Sequence, residues 1–177
     1  MQDFFNLVSR RESCRDYADT PAEPEKLVRC LDAARLAPSA CNSQPWSFIA
    51  VHSAPLALKI GPLLQGPGMN RFALACPAFV VIVEEKESMT ARMGARLKGQ
   101  DFTSLDIGIA AAHLCLAATA QGLSTCMVGW FDEPKLKALL SIPAEKRVRL
   151  VVCVGYARTD AIRAKKRKSL EEVAQVR

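Results

Sequence analysis

The segment DIGIAAAHLCLAATAQGLSTCMV, residues 106–128, decides how the rest of the chain is read. From Asp106 to Gln121 it has almost no polar face, and Gly122 follows in the position that a left-handed helix cap requires. A helix that is apolar all round belongs in the centre of a large core or at an interface between subunits. LSTCMV, residues 123–128, then reads as a strand, so a buried helix runs straight into a sheet.

Outward from that unit the same alternation continues. WSFIAV (46–51) and FVVIV (79–83) read as buried strands, and RLVVCVGYA (149–157) as a last strong one. Thr20-Pro21-Ala22-Glu23-Pro24 is a helix start, continued by LVRCLDAARLA (27–37) with Leu27, Cys30, Leu31 and Ala34 on one side and stopped by Pro38. Ser53 and Pro55 begin a short helix that ends at the GPG of 66–68. Asp132 caps another beginning at Pro134, and Ser169-Leu170-Glu171-Glu172 has the form of a capping box. Helices alternating with strands predict an α/β or α+β sheet domain with helices packed on it. With 177 residues, half of them hydrophobic, and no repeat or linker, residues 1–177 read as a single domain with a basic C-terminal arm from about 158. Disordered, collagen-like and low-complexity readings are excluded by that composition.

The net charge of +6 is local. Between 158 and 168 stand six basic residues, Arg158, Arg163, Lys165, Lys166, Arg167 and Lys168, against the single acid Asp160; the remainder is close to neutral. The sequence therefore predicts one basic segment and not a basic surface, which argues against a nucleic-acid-binding fold. Seven cysteines, an odd number without CxxC pairs or zinc spacings, predict free thiols in a reducing, cytoplasmic setting. MQDFFNLVSRRE, with Asp3 and no long apolar run, is unlike a secretory leader. The most apolar stretch, 107–120, is interrupted by His113 and falls short of the roughly 18 residues of a membrane span, so no membrane partner is expected.

Three groups of residues can carry chemistry. Arg10, Arg11, Ser13 and Arg15 in SRRESCRDY place guanidiniums and a hydroxyl close enough to converge on a phosphate, although a solvated turn paired with Glu12 and Asp16 has the same sequence. PSACNSQPW (38–46) presents Asn42 and Gln44, whose amides both donate and accept, on a helix-to-strand loop where the polar edge of a planar heterocycle can be bound. Trp46 there is equally a core aromatic. TCMVGW (125–130) has a glycine after a strand, which lets the backbone approach a flat ligand or simply makes a turn.

Taken in order, R-x-S-x-R, APSACNSQPW, DIGIAAAHLCLAA-x-x-GLST, VGYA and KRKSLEEV closely resemble the FMN-dependent nitroreductase family from Phe5 to Val173. The resemblance implies an α+β fold, a central mixed sheet flanked by helices, in an intertwined homodimer whose two FMN molecules each touch both subunits. On it, Arg11, Ser13 and Arg15 would bind the flavin phosphate and ribityl or pyrimidine oxygens, helped by the C-terminal Arg167, with Lys166 or Lys168 as alternatives. Ser39, Asn42 and Gln44 would come from the partner subunit, and Met127, Val128 and Gly129 would lie along the ring near N5. The position of Glu12 is often basic or His in the family, so Glu12 is expected to turn away or to be offset by Arg10.

The activity implied is ping-pong: NADH or NADPH reduces the flavin, and a small acceptor such as a nitroaromatic or a quinone then occupies the same face. No catalytic side chain and no metal is called for. The short stretch between Pro45 and Asp106 predicts an open pocket, with 62–73 and 89–102 as candidate lids. Three rivals stand beside this reading. One is an anion- or nucleic-acid-binding module acting through 158–168; another is a thiol enzyme using Cys14 or Cys41; the third is a same-fold flavin enzyme with a different reaction.

Overall fold

The computed structural model describes residues 4–177; Asp3, cited above against a leader, lies outside them. Four strands form one sheet in the order β1-β2-β4-β3, with β1 at Trp46–Val51, β2 at Ala78–Glu84, β3 at Ser124–Val128 and β4 at Val148–Gly155. Every neighbouring pair is antiparallel: Trp46 faces Glu84, Ala78 faces Val154, and Ser124 faces Gly155. The parallel element of the expected mixed sheet is a single bridge, Ser13 to Thr125, on the outer edge of β3.

The helices are α1 (Phe4–Arg10), α2 (Pro24–Arg35), α3 (Ala54–Ile60), α4 (Met89–Lys98), α5 (Phe102–Ala120), α6 (Glu133–Leu140) and α7 (Leu170–Val173). Near-continuous branched side chains in β2 and β4 follow from both sheet faces being covered. Phe79, Val81, Val83, Val151 and Cys153 point into one core with Tyr17, Ile60, Leu64 and Leu136. Ala78, Val80, Ile82, Val152 and Val154 point into the other, against α2 and α5. Small residues, Cys30 and Ala34 on α2 and Ala110, Ala111 and Ala118 on α5, let those two helices pack closely.

Helix α5 begins four residues before the expected Asp106. The Asp101 side chain caps it by accepting from the Ser104 amide at 3.0 Å, and the polar residues Thr103 and Asp106 are buried within it. The capped helix is 19 residues long with a mean hydropathy of 1.4 over its most apolar window, which is membrane-span length. Its buried face carries Asp106 and packs on the sheet and α2, as a core helix does. On its other side Leu105 and Ile109 are exposed, and Ala112 and Leu116 only half-covered, an apolar row at helical spacing.

The carboxylate of Asp106 accepts from the Ala40 amide through both oxygens, at 3.2 and 3.1 Å, and so ties α5 to the loop before β1. Removing it leaves a part-buried amide without this partner, at a cost of about 1–3 kcal/mol. Asp106→Ala should lower Tm by roughly 3–9 °C in a thermal melt followed by circular dichroism. Asp106→Asn, which keeps an acceptor oxygen, should lose less.

Candidate functional site

Residues 9–17 are held between two structures. On one side Ser13 bridges Thr125, and the Cys14 amide donates to the Thr125 carbonyl at 2.9 Å, covering the start of the β3 edge. On the other side the C-terminal arm runs back along them, its cations ending on main-chain oxygens. Arg158 Nη2 donates to the Tyr17 carbonyl at 2.7 Å, Arg163 Nη2 to that of Ser13 and Lys165 Nζ to that of Ser9.

This arrangement brings together Arg11, Ser13, Arg15 and Arg167 of the expected set, with Lys165 and Lys166, around an open groove of about 330 Å³. Loss of solvent, with the nearby Arg11 and Arg167 adding to it, pushes the Lys165 ammonium below its usual range. A phosphate dianion suits that donor set. Glu12 lines the groove and does not turn away; it is offset by Arg163, whose Nε and backbone amide both reach its Oε2 at 3.3 Å. Arg10 lines a separate cavity beside Gly122 and Tyr156.

Past the covered part, the β3 edge is open. Thr125 offers its carbonyl outward, so the pleat turns the main-chain groups of Met127 outward too. Met127 is 41% exposed, whereas the side chain of Val128 is buried in the core, which leaves Val128 only its backbone to offer. No atom lies within 4 Å of where a Cβ on Gly129 would stand, so that end of the strand has room for a flat group.

Ser39, Asn42 and Gln44 lie elsewhere, near the start of α5. The loop turns sharply, with positive φ at Cys41, Asn42 and Gln44, and is fixed from within. Ser39 Oγ accepts from the Gln44 amide at 2.9 Å, Gln44 Nε2 donates to Asn42 Oδ1 at 3.1 Å, and Ser43 Oγ accepts from the Ser88 amide that precedes α4. The Asp106 end of α5 holds this loop, while Arg11 lies close enough to Cys115 to influence its thiol. Nine residues of helix separate those points, about 14 Å along the axis. Within one chain the amide loop is thus set apart from the cationic groove.

The other candidates separate cleanly. Cys14 is 4% exposed, and burial pushes its thiol up despite the neighbouring Arg15, so a low-pKa nucleophile is absent there. All seven cysteines are free, and Cys41 alone is exposed. His113 is half-buried with Nδ1 3.2 Å from the Ala33 carbonyl, a satisfied residue. Asp106, Arg163 and Lys165 shape the site without having been singled out in the sequence. An acid inside a greasy helix was the available signal for the first.

A cationic groove lies along one edge of a helix-covered antiparallel sheet, with an exposed amide loop set apart from it, in an α+β fold. The pattern of the Nitroreductase family matches residues 8–67 and 65–156, and the chain belongs to that family, whose members are oxidoreductases. An Archaeoglobus fulgidus protein provisionally named NADH dehydrogenase/NAD(P)H nitroreductase is 31% identical over 90% of this chain and 88% of its own. A nitroreductase family protein from Streptococcus pneumoniae superposes with a TM-score of 0.84 at 24% identity, covering 99% of this chain and all of the other. An FMN-dependent nitroreductase from Clostridium difficile superposes at 0.74, 24% identical, over 96% and 94% of the two chains.

The Glu12–Arg163 pair sets the charge balance of the groove. Glu12→Gln should tighten binding of inorganic phosphate severalfold, and Arg163→Ala, which leaves the carboxylate unopposed, should weaken it. Titration calorimetry at low salt reads both changes, and they should shrink together in 0.5 M NaCl.

Proposed function

We propose that the chain is an FMN-dependent NAD(P)H oxidoreductase of the nitroreductase type, acting in the cytoplasm as a single-domain homodimer. The observation that carries this is the convergence of Arg11, Ser13, Arg15 and Arg167 on one groove beside the open end of β3. The name of the Clostridium difficile neighbour supports FMN, and that of the Archaeoglobus relative supports a nicotinamide reductant. FMN held there by Arg11, Ser13, Arg15 and Arg167 would supply hydride transfer from NADH or NADPH to a small acceptor such as a nitroaromatic or quinone, in ping-pong fashion.

The chain's own contribution is placement and charge. Arg11, Arg15 and Arg167 hold the phosphate with donors that stay ionised at any working pH. Arg15 also offers a cation to the pyrimidine edge, where negative charge develops on reduction. The main chain of 127–129 supplies a flat, hydrogen-bonding rim, with Met127 exposed beside it. Ser39, Asn42 and Gln44, held by Asp106 at the far end of α5, serve the site of a second copy. The row Leu105, Ile109, Ala112 and Leu116 on α5, the first two exposed and the others half-covered, with Val28 on α2 and Leu36 just after it both more than 60% exposed, gives that copy an apolar surface to cover. Arg158, Arg163 and Lys165 are engaged with the domain's own main chain, which leaves the nucleic-acid alternative with few free cations.

The visible spectrum of the purified protein, before and after adding FMN and desalting, tests the cofactor: a retained flavin band is expected, and refusal of added FMN overturns the reading. Arg15→Ala and Asn42→Ala should each lose flavin retention. In a shared-site dimer the two defects fall in different chains, so co-expressing both variants should restore about one quarter of wild-type FMN capacity, since mixed dimers carry one intact site. No recovery would place both residues in the same half-site.

A further inference from the structure

Trp130 follows Gly129 and is 59% exposed, while the chain's other tryptophan, Trp46, is 8% exposed and in the core. Its placement is built. The pyrrole edge of the indole closes on Gly66 so tightly that a Cβ there would stand 2.5 Å from Nε1 and 2.9 Å from Cδ1, with Met69 Cε also at 2.9 Å. Only glycine leaves room for that approach. The turn beneath is pinned from several sides. The Met69 amide donates to the Gly66 carbonyl at 3.1 Å, Asn70 Nδ2 to the Leu64 carbonyl at 3.0 Å, and the Asp132 amide to the Leu63 carbonyl at 2.8 Å. That last bond ties the turn directly to the strand exit that carries Trp130. Met69, 44% exposed, adds a thioether beside the ring.

An indole held at one edge and exposed over most of its surface is a prepared stacking wall, because little side-chain freedom is left to lose when a flat ring lies on it. Resting on the flavin reading above, we propose that Trp130, seated on Gly66 and Met69, is a specificity-determining residue that selects planar aromatic electron acceptors at the Gly129 end of the site. The turn of 62–73, expected from sequence to act as a lid, serves on this account as the support of that wall.

Wild-type protein, Trp130→Ala, Trp130→Phe and Gly66→Ala, each loaded with FMN and supplied with NADH, separate the roles. Two acceptors are used, the planar quinone menadione and the non-planar ferricyanide. The ratio of kcat/KM for menadione to that for ferricyanide should fall fivefold to tenfold in Trp130→Ala, through KM for menadione, and recover most of that in Trp130→Phe. Gly66→Ala, which keeps the indole but displaces it, should lower the same ratio. Loss of the exposed Trp130 opens no core, so the variant should fold; a ratio within twofold of wild type in Trp130→Ala overturns the proposal.

A second readout needs no turnover. Menadione should quench wild-type tryptophan emission saturably, with the saturable part gone in Trp130→Phe, where only Trp46 emits. Purely collisional quenching in the wild type overturns the assignment. Protein that takes up no FMN refutes the flavin reading instead, and the quenching result then decides on Trp130 by itself.

Discussion

Helix α5 imposes the constraint on which the structure depends. Its apolar surface runs right round, and one sheet face, α2 and α1 together cover only part of it. Everything on the covered side follows from that burial. The two central strands are apolar on both faces, α2 approaches through small residues, and the loop of 39–44 is anchored by the one carboxylate the helix takes into the core. The other side carries the exposed Leu105 and Ile109, and the loop of 39–44 and the cationic groove lie near different parts of the same helix. Burial of this single apolar helix thus underlies both the stability of the domain and the position of the loop that carries Asn42 and Gln44.

Much of this was legible in the sequence, for identifiable reasons. Strand β1 was readable to the residue because Trp46–Val51 lies between a proline and a polar step, and α6 to within one residue because Asp132 and Pro134 mark a capped start. The beginning of α5 was not, because Thr103 and Asp106 look like loop residues until their burial and the Asp101 cap are seen. Helix α4 was hidden within a stretch read as a possible lid, since its three cations and exposed methionines give a weak pattern with Ala91 its one buried residue. The all-antiparallel ladder also lay beyond reach, as strand order is set by packing between distant segments and not by any one of them.

For the site, residue type was readable and partnership was not. Arg11, Ser13, Arg15 and Arg167 could be named from spacing and resemblance, but sequence alone left Glu12 as an anomaly. Its resolution depends on Arg163, about 150 positions away, whose guanidinium reaches both its carboxylate and the neighbouring Ser13 carbonyl. Val128 shows what alternation along a strand decides. A strand residue beside an open edge looks available, yet the period-two alternation sends its side chain into the core.

The arm's hold on the N-terminal segment has an evolutionary side. Arg158, Arg163 and Lys165 grip the carbonyls of Tyr17, Ser13 and Ser9, atoms that every amino acid possesses. The side chains at 9 and 13 are therefore free to drift without releasing the arm, whereas a change in any of its three cations loosens it. Among descendants of this chain, the record of selection on this contact should lie in the tail and in its charge partners Glu12 and Asp16, while position 9 should look indifferent.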